Sequence, residues 1–211
     1  MIDIQAWLTE YQKKVLEVFK QRVCFIGIQG SYARGEAHES SDIDVVLILD
    51  HLAFEDLKKY KEMIDTLEHR ELICGFISGK AELMQWHKAD LFQFYHDTLP
   101  LYRDLSFIAK CFSDEDIREA MLIGACNLYH GCVHNYLHEQ SSEVLKALKK
   151  SAVFVLQAKY FLEHHQFVST HKELAKLLEE RDQEIMEMDI TKLEESEKMI
   201  RWASSLMDSL S

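Results

Sequence analysis

The chain is nearly without proline, with Pro100 alone among 211 residues, and it has only 7 glycines. It also lacks any Ser/Gly-rich or low-complexity tract, so it offers no flexible linker and its elements should follow one another closely. Basic residues are scarce, with 24 Lys and Arg against 36 Asp and Glu for a net charge of −12, and both halves share the deficit. A polymer nucleic acid needs a Lys/Arg footprint on its phosphates, so this balance argues against one. A small cationic partner, or a patch on another protein, fits better. Long apolar runs are missing too, the longest being about five residues, and MIDIQAWLTEYQKK carries neither a basic n-region nor an apolar core. That reads as no signal peptide and no membrane span. The 5 cysteines form no CxxC pair, which points to free thiols in a reducing cytosol and hence a cytoplasmic protein.

What is present gathers around residues 23–49, VCFIGIQGSYARGEAHESSDIDVVLIL. Val23 to Ile28 is a β-branched apolar run of strand length, which Gly30 and Ser31 punctuate. Gly30 allows a tight turn with close backbone approach to a ligand, and Ser31 suits the cap of a short helical turn through Arg34. Exposed N–H groups at such a start attract phosphate. A second strand then opens on Ser41, Asp42, Ile43 and Asp44, with its two carboxylates at i and i+2 on one face. Paired carboxylates repel unless a cation lies between them, and Mg²⁺ takes hard oxygen ligands together with substrate phosphates. The chemistry suggested is phosphoryl or nucleotidyl transfer, in which positioning and charge neutralisation carry most of the catalysis.

The string GSYARGEAHESSDID resembles the signature of the nucleotidyltransferase superfamily that includes DNA polymerase beta, kanamycin nucleotidyltransferase and the bacterial minimal nucleotidyltransferases. In that superfamily a glycine-serine turn precedes an SDxD strand, and Gly30, Ser31, Arg34, Gly35, Ser41, Asp42 and Asp44 match it. The resemblance implies that Asp42 and Asp44 hold magnesium and that Gly30, Ser31, Arg34 and Ser41 serve a nucleoside triphosphate, with ATP the first choice. It also implies a third metal-directed carboxylate on the strand after the following helix. That strand, ELICGFIS at 71–78, offers Glu71 at its start, with Asp90 and Asp97 as further alternatives.

Elsewhere in the first half, helical periods over 3–21, 54–68 and 81–98 read as amphipathic helices, and TLPLYRD reads as a short edge strand around Pro100. In the 54–68 helix, Phe54, Leu57, Tyr60, Ile64 and Leu67 are expected to face inward. Beyond Phe112 the pattern becomes all-helical. Ser113 with Asp116, Thr170 with Glu173 and Thr191 with Glu194 are capping-box pairs that open helices at about 114–138, 142–165, 170–186 and 191–209. The expected fold is therefore α+β: a small mixed-sheet nucleotidyltransferase domain over 1–112, then an antiparallel four-helix bundle over 113–211. The second half looks like a HEPN-type helical domain. No arginine is followed by histidine at the interval seen in HEPN-type ribonucleases, which argues against nuclease activity.

Two clusters stand out in the helical half. Cys126, His130, His134 and His138 form a stripe about 18 Å long at 1.5 Å per residue, too long to close one tetrahedral site, so it reads as a polar interface. Lys146, Lys149, Lys150 and Lys159 crowd one helix, and by the resemblance Lys149 is assigned to reach the triphosphate. Taken together, the sequence predicts a magnesium-dependent transfer of a nucleoside monophosphate, AMP from ATP, to a hydroxyl of a small molecule such as an aminoglycoside, or of a protein. The reading from another class is an inactive nucleotide- or partner-binding module resembling an antitoxin. A homodimer is implied by resemblance.

Overall fold

The computed structural model describes residues 2–210 and divides them into two compact units. One contains the chain up to His87 together with Phe94–Cys111, and the other contains Lys88–Gln93 and the chain from Phe112 onward.

In the first unit, α1 (Ile4–Phe19) starts where the Asp3 carboxylate accepts the Ala6 N–H at 3.1 Å. Its buried stripe is Trp7, Leu8, Tyr11, Val15 and Phe19, at the spacing of one helical face. A 3₁₀ turn leads into β1 (Val23–Ile28), then the short α2 (Gly30–Arg34), β2 (Ile43–Leu49), α3 (Phe54–Ile64) and β3 (Ile73–Gly79). After β3 come α4 (Lys80–Met84), α5 (Lys88–Asp97) and β4 (Leu99–Tyr102). The sheet order is β3-β2-β1-β4. β1 runs antiparallel to β2 and β4, while β3 runs parallel to β2 with α3 as the crossover. The edge strand predicted around Pro100 is present, on the side of the sheet where a missing N–H is tolerated.

One sheet face, with Ile26, Ile28, Ile43, Val45 and Leu47, packs under α1 and α3. On the other face Phe76 meets Trp86 and Phe94 edge-on at 4.8 and 5.3 Å. The 81–98 segment is two helices, not one, because the chain breaks between Met84 and Lys88.

The rotational phase of α3 differs from the expectation. Phe54 is 70% exposed and Leu57 also lies on the outer surface. The inward position belongs to Asp56, only 3% exposed, whose carboxylate takes two Arg22 N–H groups at 2.6 and 3.0 Å and the Ala53 N–H at 2.9 Å. Arg22 also reaches Asp50 at 3.1 Å and the His51 carbonyl at 2.8 Å, fastening both ends of the β2–α3 connection. The hydrogen bonds from Arg22 hold the Asp56 carboxyl down at about 2, against an ordinary 3.8. A depressed carboxyl stabilises the fold above pH 3.8 and loses that contribution as pH falls towards 2. Acid titration of Asp56→Asn against the parent should therefore show the parent's extra stability vanishing between pH 4 and 2.

The second unit is helical: α6 (Asp114–His134), α7 (Ser142–His164), α8 (His171–Leu177), α9 (Glu180–Glu187) and α10 (Ser196–Leu210). The predicted capping box at Ser113 and Asp116 opens α6. α6 packs on both α7 and α10, around a core that includes Met121, Leu128, Leu156, Met199 and Trp202. α6 and α7 approach closely, since an added Cβ on Gly124 would lie 2.4 Å from the Val155 side chain.

The helix expected over 170–186 is two short helices that break at Leu178. There the backbone is extended, and the Gln183 side chain donates to the Leu178 carbonyl at 2.8 Å. The restart points Asp182 inward, 4% exposed, where it accepts Lys159 Nζ at 2.5 Å and Trp202 Nε1 at 2.8 Å. Thr191 does not cap a helix with Glu194; its hydroxyl bonds Asp189 at 2.6 Å, and α10 begins at Ser196. Among the described residues no helix is long and apolar enough to cross a membrane.

Candidate active site

The mouth of the sheet is built where β1 ends. The Gln29 N–H donates to the Asp44 carbonyl at 2.8 Å, and the chain then turns sharply at Gly30, with φ +69°. A Cβ at Gly30 would lie 2.0 Å from Asp44 Oδ2, so the carboxylate rests against bare glycine backbone. Only glycine satisfies both conditions. α2 closes with the Glu36 N–H on the Ser31 carbonyl at 2.8 Å and a left-handed Gly35. Arg34, its side chain largely buried, donates from Nε to Glu36 at 3.1 Å and so orders this loop. Ser41 is buried, and its hydroxyl accepts the His38 N–H at 2.9 Å, while its own N–H returns to the His38 carbonyl at 3.0 Å. The Ser41 oxygen assigned to a nucleotide is thus engaged in shaping the loop ahead of the two aspartates.

Strand register then arranges the side chains. Ile28 pairs with Val45 and Leu99, and Asp44 pairs with Cys74. Partners in a ladder share a face, so Cys74 and Asp44 lie side by side, and Gln29 and Thr98, one residue beyond the end of β1 and one before β4, continue the row. The row is tied together directly, since Gln29 Nε2 donates to Thr98 Oγ1 at 2.7 Å. Asp42 immediately precedes β2, two positions before Asp44; it is exposed, whereas Asp44 is half-buried. Ile43 and Val45, between and beyond them, point into the opposite core.

The third carboxylate is where sequence and structure part. Glu71 lies in the 3₁₀ turn Arg70–Leu72, ahead of β3, with a side chain 73% exposed and 3.9 Å from His69 Nδ1. On β3 the residue level with Asp44 is an exposed thiol, Cys74, and the next on that face is Phe76. Among the described residues, no group of three or more His, Cys, Asp or Glu side chains is placed to hold a metal ion, so Glu71 is not brought to Asp42 and Asp44. Asp90 is an exposed residue of the first turn of α5, and Asp97 is its last residue, next to Thr98.

Lys149 Nζ donates to the Met188 carbonyl at 2.8 Å within the helical unit, and burial lowers its pKa. Its ammonium is engaged with that carbonyl. The histidine stripe is realised, with ring centroids of His130 and His134 6.2 Å apart and of His134 and His138 5.0 Å apart, but it assembles no three-ligand group. Its last turn is a π-turn, Asn135–Glu139.

Asp42 and Asp44 offer hard carboxylate oxygens beside an open glycine backbone, a donor set that suits Mg²⁺ shared with phosphate oxygens. Gly30→Ala should remove this arrangement, both through strain at positive φ and through the Cβ driven into Asp44. The expected result is loss of nucleotide binding by calorimetry, with the far-UV circular dichroism of the fold retained.

A family model described as "Nucleotidyltransferase domain" matches residues 12–93. The protein adenylyltransferase MntA of Thermococcus cleftensis is 36% identical over 73 residues, which cover 35% of this chain and 67% of that one. A putative protein adenylyltransferase of Methanocaldococcus jannaschii is 41% identical over 66 residues, 29% of this chain and 74% of that one. Among solved structures, spectinomycin adenyltransferase AAD(9) from Enterococcus faecialis, determined with ATP and spectinomycin, superposes with a TM-score of 0.60. It does so across 97% of this chain and 99% of its own, at 11% identity, a likeness of fold.

Proposed function

Because the chain belongs to the nucleotidyltransferase family, we propose that it is a magnesium-dependent adenylyltransferase that moves AMP from ATP to a hydroxyl group and releases pyrophosphate. The observation that carries this reading is the Asp42–Asp44 pair at the mouth of β2, with the Asp44 carboxylate against Gly30. Mg²⁺ held by the two carboxylates would neutralise charge on the phosphates and align them. Gly30 and Ser31 give the triphosphate a turn with no intruding side chain. Arg34, tied to Glu36, keeps that turn in shape. The acceptor oxygen attacks the α-phosphorus in line as the bond to the bridging oxygen breaks, and the hydroxyl proton leaves to a base or to water.

For the acceptor, the net charge of −12 and a likeness of fold along nearly the whole of a spectinomycin adenyltransferase favour a small cationic molecule such as an aminoglycoside. A protein hydroxyl is the second reading, favoured by 36% and 41% identity to protein adenylyltransferases over 73 and 66 residues.

The test is to incubate the chain with α-labelled ATP and Mg²⁺, first with a panel of aminoglycosides and separately with a cell lysate. Label on a small molecule supports the first acceptor, and label on a protein band supports the second. No metal-dependent label in either arm overturns transfer and leaves a nucleotide- or partner-binding module.

A further inference from the structure

We propose that Gln29, bound through its backbone to Asp44, is a positioning residue of the transfer site, its carboxamide held by Thr98 so that the oxygen receives a substrate hydroxyl; this rests on the adenylyltransferase reading. Three independent ties fix the residue. Its backbone N–H is bound to the Asp44 carbonyl at 2.8 Å, its neighbour is the sharply turned Gly30, and its side-chain Nε2 donates to Thr98 Oγ1 at 2.7 Å.

The threonine settles which way the amide faces. Thr98 is buried, and its hydroxyl proton is already given to the Phe94 carbonyl, so towards Gln29 its oxygen can only accept. The nitrogen of the amide must therefore point to Thr98, which leaves the carboxamide oxygen as the acceptor end of a held side chain. Gly27 allows this close arrangement, since a Cβ there would lie 2.7 Å from the Thr98 methyl.

An oriented acceptor takes a hydroxyl, and two hydroxyls enter the transfer site: the sugar of the nucleotide and the group to be modified. A held amide spends less freedom in making that bond than a mobile one does. Thr98, whose hydroxyl bonds Gln29 and the Phe94 carbonyl, acts through Gln29.

The experiment compares Gln29→Leu, Thr98→Val and Thr98→Ser with the parent, reading KM and kcat for ATP and for the acceptor, with melting temperature alongside. Gln29→Leu should raise the KM of one substrate about tenfold, the worth of one hydrogen bond, with little change in kcat or melting temperature. Thr98→Val should move the same constant in the same direction by freeing the amide, and Thr98→Ser should restore it.

If the partner is the sugar, 2′- or 3′-deoxy-ATP should lose affinity in the parent and lose nothing further in Gln29→Leu. If it is the acceptor, only the acceptor KM should move. Unchanged constants in Gln29→Leu would overturn the proposal while leaving the adenylyltransferase reading intact. Should the parent transfer nothing, that reading fails, and titration with Mg-ATP decides the role of Gln29. Weaker binding by Gln29→Leu supports the role, and equal binding, or none by either protein, overturns it.

Discussion

Asp44→Ala should abolish nucleotide transfer. The expected loss in kcat is about a thousandfold or more, since charge stabilisation of this kind supplies several kcal/mol of the barrier reduction. The fold should persist, since the bond from the Gln29 N–H to the Asp44 backbone carbonyl survives truncation. Removing one of two neighbouring carboxylates also relieves their repulsion in the apo protein, so the melting temperature should hold or rise. Asp42→Ala should behave alike, and chelation with EDTA should reproduce both losses. A thousandfold loss with an unchanged melting curve places the pair in chemistry; a sharp fall in melting temperature without metal would instead make them structural.

The largest loss of stability is expected from Asp182→Ala in the helical unit. Asp182 is 4% exposed and joins α7 to α10 by accepting from Lys159 and Trp202. Truncation leaves a half-buried ammonium and a buried indole N–H without this acceptor, and breaking a buried ion pair from one side costs about 3–5 kcal/mol. For a chain of this size that is a drop of roughly 10 °C in melting temperature. Asp182→Asn keeps an acceptor for the indole but removes the charge, so it should lose less. Transfer activity measured well below the melting transition should be retained in both variants, because Asp182 belongs to the packing of the helical unit.

How far the sequence could be read depends on the range of the interactions involved. β1, the Gly30 turn and the Asp42–Asp44 pair are local: an apolar run, a glycine that must adopt positive φ, and alternation along one strand. The Ser113 capping box is local as well. What the sequence hid was pairwise and distant. Phe54 looks like the inward residue of α3 by period alone, and only Arg22, which claims Asp56, turns the helix the other way. The break at Leu178 serves a contact between Asp182 and two other helices, which no window over 170–186 contains.

The place of Glu71, in the turn ahead of β3, is hidden for a related reason. Parallel pairing puts Cys74 opposite Asp44, and register between strands cannot be counted from one of them. Nothing local marks Gln29, because its partner Thr98 lies 69 residues away.

The order of pairing in the sheet also bears on how the protein opens. β1 and β2 are joined by the single short connection that holds α2, whereas β4 joins the outer side of β1 only after most of the first unit has been threaded, and it contributes just the four residues Leu99–Tyr102. Short edge pairings of large sequence separation form late and open first. Amide hydrogen exchange under native conditions should therefore release the β4 protons well before those shared by β1 and β2. With each such excursion the tether on Gln29 would slacken while the aspartates stay seated on β2.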